Sequence, residues 1–222
     1  MKVRIPYHPV HIAIFLLLAF LCYQAHQFVR HFVGAALCGG FGSMTFTVAE
    51  TRQPCSLATV LTLSGPLFTF GLAWFGMLLL RSPKFALFAY ALIFASFAHL
   101  RWIQTLSGRG DELILAGQWF AVSSWLSVAV VVLLIGVPPV FFAFRAIANR
   151  RRVLIFICSL LLPLPLLVVM LVGDRFLFGS SGSASPRASF LGVSLIVLIT
   201  DLVASTLLVM LGMLFLRRRA EA

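Results

Sequence analysis

Long apolar runs separated by short polar links dominate the chain. Residues 128–135 and 160–172 contain no polar side chain at all. That pattern is neither the strict alternation of a barrel strand nor the one-sided stripe of a water-facing helix. About 20 mostly apolar helical residues cross the ~30 Å hydrocarbon core. On that template the sequence predicts six spans. The first covers residues 10–37 and carries His26, Arg30 and His31 in its second half; the second, 56–80, contains the Gly65-Pro66 break. The third covers 85–101. The fourth, 113–135, bends at Pro138-Pro139 and runs on to 144, and the fifth, 153–172, kinks at Pro163 and Pro165. The sixth, 188–216, carries Asp201 near its middle. The fold class is therefore all-α, a polytopic transmembrane bundle. Turn glycines mixed with Thr45, Phe46, Thr47 and Val48 add a short β-hairpin or re-entrant loop after the first span.

Composition agrees with this reading and excludes its rivals. The chain of 222 residues is 61% hydrophobic and 10% charged, with mean hydropathy +1.07. So little polar surface cannot clothe a soluble domain, and lipid must be the solvent. The net charge of +11 would point to nucleic acid in a soluble protein. Here the basic residues lie between apolar runs, as topology signals do, and no soluble basic patch exists to hold a nucleic acid. With the amino terminus in the cytoplasm, Lys2, Arg4, Arg81, Lys84, Arg145, Arg150, Arg151, Arg152, Arg217, Arg218 and Arg219 fall inside. Arg52, Arg101, Arg109, Arg175 and Arg187 fall outside, and Arg30 stays within the membrane. This bias predicts an inner (plasma) membrane protein with both termini cytoplasmic.

Lys2 and Arg4 ahead of an apolar stretch mimic a signal peptide, but Tyr23 stands where a small residue would precede cleavage. The segment is read as a retained helix. Cys22 and Cys158 lie in apolar runs as packing residues. Cys38 and Cys55 bracket the first loop and would pair as a disulfide if that loop faces an oxidising compartment. The segment 179–186 reads as a flexible connector, and Asp174 with Arg175 as a loop-edge pair. His99 and Arg101 are expected to snorkel to the interface.

Ionisable groups inside a span cost at least ~2.5–3.5 kcal/mol on insertion scales, so each requires a reason. His26, Gln27, Arg30 and His31 form the densest group, with Asp201 on the last span as a further intramembrane polar residue. His26 and Arg30 share a helix face, whereas His31 points about 140° away. The stretch HQFVRHFVGAALCGGFGSMTF, residues 26–46, resembles the zinc-motif helix and following loop of the site-2 protease-type intramembrane metalloproteases. LTLSGPLFTFGLAW, residues 61–74, is similar to that family's second core helix. GRGDE, residues 108–112, falls where some relatives carry an acidic third ligand. The resemblance covers about residues 20–115 and implies a protease-like core over about 10–115, with further spans over 113–216 of one integral membrane domain. It also implies zinc as cofactor and an intramembrane endopeptidase activity.

The motif departs from that family where the chemistry is done. His26 holds the first ligand position, Gln27 the position of the catalytic glutamate, and Arg30 that of the second histidine. An amide cannot take a proton from bound water, and a guanidinium has no lone pair for Zn²⁺. A metal set of His26, His31 and Asp111 would need a π-bulge to swing His31 round. The expected function is thus a catalytically inactive, metalloprotease-like protein without a cofactor that binds a membrane or membrane-proximal partner. Its means would be strand addition to the edge of residues 39–48. An active divergent zinc protease using Asp111 is the alternative, and a small transporter or channel using Arg30, Asp111 and Asp201 is another. In the plainer reading His26, Gln27 and Arg30 are a buried polar cluster answered by Asp111, Glu112 or Asp201.

Overall fold

The computed structural model describes residues 2–6, 8–51, 55, 57–107, 125–179 and 189–220, the side chains of 58–60, 125–127 and 215–220 excepted. Asp111, Glu112 and residues 180–186 of the expected connector lie outside that set. Six stretches are long and apolar enough to cross a membrane. This is an all-α, multi-pass membrane bundle.

Helix α1, Pro9–Cys38, starts on His8, whose Nδ1 accepts from the Val10 N–H, with Pro9 in the first turn. It stops at Gly39, which takes a left-handed φ of 71° and donates its N–H to the Ala35 carbonyl. Two buried stripes run along it at helical spacing. Phe15, Ala19, Cys22 and His26 form one; Phe20, Gln24, Gln27, His31 and Gly34 form the other. The helix is therefore enclosed on two sides. The first stripe enters the main apolar core, and Phe20 of the second joins a separate core around Met44, Val193 and Val197.

Helix α2, Ala58–Leu79, packs on α1 and on α3, Ala86–Ala95. The third span is not one helix. It breaks at Phe97, whose φ of 60° is left-handed, and restarts as α4, Ala98–Leu106. Helix α5, Trp125–Ala146, contains Pro138 and Pro139. Pro139 has no N–H to give the Ile135 carbonyl, and the Trp74 indole donates to that oxygen at 2.9 Å instead. The fifth span divides into α6, Arg152–Leu161, and α7, Pro163–Phe178. His99 Nε2 donates to the Leu160 carbonyl near this break at 3.0 Å.

The last span begins later than its apolar run predicts. Residues 189–194 form a hairpin of β1, Ser189–Phe190, and β2, Val193–Ser194, before α8, Leu195–Ala220. Met44 in the first loop sits between this hairpin and its own neighbour, bridging Val193 in parallel and Ala49 in antiparallel fashion. Cys38 and Cys55 are joined by a disulfide across the same loop.

Candidate functional site: an intramembrane cavity at His26

The polar residues of α1 go to different places. His26 is buried between α2 and α4: its Nδ1 lies 2.9 Å from Thr69 Oγ1 and its Nε2 3.0 Å from an Arg101 guanidinium nitrogen. A guanidinium only donates, so Nε2 must supply the lone pair, and Nδ1 carries the proton given to Thr69. The close approach of α2 depends on Gly65, where a Cβ would fall 2.4 Å from the His26 ring and 2.9 Å from Arg30 Cδ. His31 is buried on the other stripe and donates from Nε2 to the Leu191 carbonyl at 2.7 Å. His26 and His31 are thus engaged by different partners on different sides of α1.

Gln24 and Gln27 bind the first loop. Their side-chain amides donate to the Phe46 and Thr47 carbonyls at 3.1 and 3.0 Å. From the opposite side Asp174 of α7 clasps the same turn. It accepts the Phe46 N–H at 3.0 Å, the Thr47 N–H at 3.1 Å, the Thr45 hydroxyl at 2.8 Å and the Thr47 hydroxyl. Every backbone group of this turn that a partner strand would need at Phe46 and Thr47 is thereby used, and Met44 is paired on both sides. Strand addition to the edge over residues 39–48 would therefore have to avoid Met44, Phe46 and Thr47.

Between α1, α2, α4 and α7 lies a cavity of about 570 Å³. His26, Gln27, Arg30, Thr69, Arg101 and Gln104 give it a polar wall, while Phe97, Leu100, Ile103, Leu167 and Leu171 give it an apolar one. Ser96 and Phe97 place the α3–α4 break in that wall, and the helix restarted there delivers Arg101 to His26. Gln27 Oε1 is buried with no hydrogen-bond partner among the described residues. Neither His31 nor Asp201 is part of the wall. Asp201 shares a face of α8 with buried Val197 and Ala204, on the Phe20 side of α1, and its carboxylate oxygens have no hydrogen-bond partner among the described residues.

These donors do not fit the zinc that the resemblance implies. The His26 lone pair accepts from Arg101, Gln27 offers only a neutral amide oxygen, and a dication would sit beside the Arg101 guanidinium. Among the described residues no group of three or more His, Cys, Asp or Glu could hold a metal ion. Asp111 lies outside the described residues.

Three placements depart from the sequence reading. His99 is 3% exposed and helps complete the α6 end, and Arg101 reaches inward, so neither snorkels to an interface. Asp174 is buried and clasps a loop 127 residues away, not its neighbour Arg175. Thr69 and Arg101 complete the His26 site unforeseen from the sequence, and α2 runs unbroken through Gly65-Pro66, where a break was expected. Comparison with protein-family models, curated proteins and solved structures yields no match.

Proposed function

We propose that this multi-pass membrane protein binds a membrane-resident ligand in the α1–α4 cavity and does not hydrolyse it. One observation carries the reading: His26, at the first metal-ligand position of the protease-like motif, is held by Thr69 and Arg101 against an open cavity. A scaffold resembling a site-2 protease is kept, and its reacting groups serve as structure. The cavity favours an amphiphile whose polar end is rich in hydrogen-bond acceptors. The guanidinium groups of Arg30 and Arg101 line the polar wall, and a guanidinium donates hydrogen bonds but cannot accept them. The apolar wall of Leu100, Leu167 and Leu171 suits the ligand's other end. Gln27 Oε1 offers one acceptor among these donors.

The charge bias supports cytoplasmic termini in an inner (plasma) membrane. The Cys38–Cys55 disulfide at the far end of α1 supports the same orientation, because disulfides persist on an oxidising side of a membrane. A conducting path through Arg30 and Asp201 has no comparable support, since Asp201 stands outside the cavity wall.

Metal analysis and ligand retention test the proposal together on the purified full chain. Zinc below about a tenth of an equivalent is expected, along with a co-purifying amphiphile seen by native mass spectrometry. Leu167→Trp, which fills the cavity without altering a polar group, is expected to expel that amphiphile. Stoichiometric zinc that disappears on His26→Ala would overturn the reading, as would a ligand that Leu167→Trp leaves in place.

A further inference from the structure

The opposite end of the bundle holds a second, larger hollow that the cavity reading does not use. Residues 2–6 are not a loose tail. Val3 bridges Ile147 in parallel: the Val3 N–H donates to the Ala146 carbonyl at 2.6 Å, and the Ala148 N–H to the Val3 carbonyl at 2.8 Å. Asn149 grips Ile5 at both backbone groups, accepting its N–H at 2.8 Å and donating to its carbonyl at 3.0 Å. Lys2 Nζ donates to the Arg145 carbonyl at 3.2 Å. This strap, fastened to the α5–α6 turn, forms one wall of a groove of about 880 Å³.

The groove combines basic and apolar lining. Lys2, Arg4 and Lys84 line it with exposed side chains. Leu87 of α3 and Leu211 and Leu214 of α8 contribute apolar lining, and His8, His11 and Asn149 also line it. Acidic residues among those described are Glu50, Asp174 and Asp201, and none lines the groove. A hollow with three cations at the membrane boundary and leucines running inward matches a phosphate joined to an acyl chain. A soluble anion would have no use for the leucines.

We propose that this groove binds one anionic phospholipid, its phosphate held by Lys2, Arg4 and Lys84 and an acyl chain laid along Leu87, Leu211 and Leu214. The same cations count towards topology, which requires only that they lie on the cytoplasmic side. The lipid site requires them in the groove. The strap makes that difference, because it fixes Lys2 and Arg4 against Lys84 and the α8 leucines.

The test compares two triple variants that lose the same charge from the same side. Delipidated full-length protein is titrated with phosphatidylglycerol and with phosphatidylcholine of matched chains, and bound lipid is counted by native mass spectrometry. The wild type is expected to prefer phosphatidylglycerol about tenfold or more. Lys2→Gln/Arg4→Gln/Lys84→Gln should bring the two lipids within about twofold, whereas Arg81→Gln/Arg150→Gln/Arg151→Gln, outside the groove, should keep the preference. Equal loss in both triples would overturn the proposal in favour of diffuse attraction. Competition by inorganic phosphate at lipid-like concentrations would overturn it in favour of a simple anion site. If the groove triple does not fold, Leu87→Trp decides. It keeps every charge and should displace the bound lipid, and retention at the wild-type level would refute the site.

Discussion

The first four helices and the last three solve opposite problems. In the 18-residue apolar stretch of the span formed by α3 and α4, 67% of the residues are buried inside the protein; in the corresponding stretches of α6–α7 and α8 the shares are 17% and 11%. The inner group is joined by polar side chains: His26 to Thr69 and Arg101, and Gln24 and Gln27 to the loop. The outer group presents Val169, Phe176 and Leu202 outward, while α8 packs its inner face along α1. Lipid is as apolar as leucine, so burial of leucine drives little association here, and small residues and hydrogen bonds must specify which helices meet. Asp174 breaks the rule for the outer group, as an α7 residue that belongs functionally to the inner one.

Unfolding titrations in detergent sharpen that contrast. Asp174→Ala should be the most damaging change, by about 3 kcal/mol or more, because buried N–H groups of Phe46 and Thr47 each lose an acceptor at ~1–3 kcal/mol. A loss no larger than that of a lipid-facing control would erase the distinction between the two regions. Gly65→Ala is next. Its new methyl meets the His26 ring at 2.4 Å, and overpacking of this kind costs about 1–3 kcal/mol. The same variant should push His26 off Thr69 or Arg101, readable as a shift of the imidazole resonances. Trp74→Phe removes the donor to the Ile135 carbonyl and should cost roughly 0.5–1.5 kcal/mol, a value that proline-bend accommodation elsewhere in α5 would reduce to zero. Leu202→Ala, 68% exposed on α8, should change stability by less than about 0.5 kcal/mol. A larger loss would mean that α8 is covered by another chain.

Hydropathy made the spans legible because span length and apolarity are set by the bilayer itself. It could not show the break at Phe97, since FASFAHLRW contains neither glycine nor proline, and the turn is imposed by packing. Hidden with that break was the inward turn of Arg101. Helical geometry already set His31 apart from the face of His26 and Arg30, but not the partners that each side meets. His26 and His31 differ only in which buried stripe they occupy, and the occupants of each stripe come from α2, α4 and the β1–β2 turn. The hairpin before α8 was not legible in the sequence, because Ser189 to Ser194 reads as the start of an apolar run and its pairing with Met44 is a long-range contact.

The Asp174 clasp has a consequence in time as well as in space. A chain threaded into the membrane from its amino terminus delivers α1 and the turn at Phe46 and Thr47 long before the carboxylate that holds them, 127 positions further on. Until α7 arrives, two backbone amides of that turn must find water or lipid headgroups as stand-ins. The cavity therefore has no wall from Leu167 and Leu171 until α7 has entered the membrane.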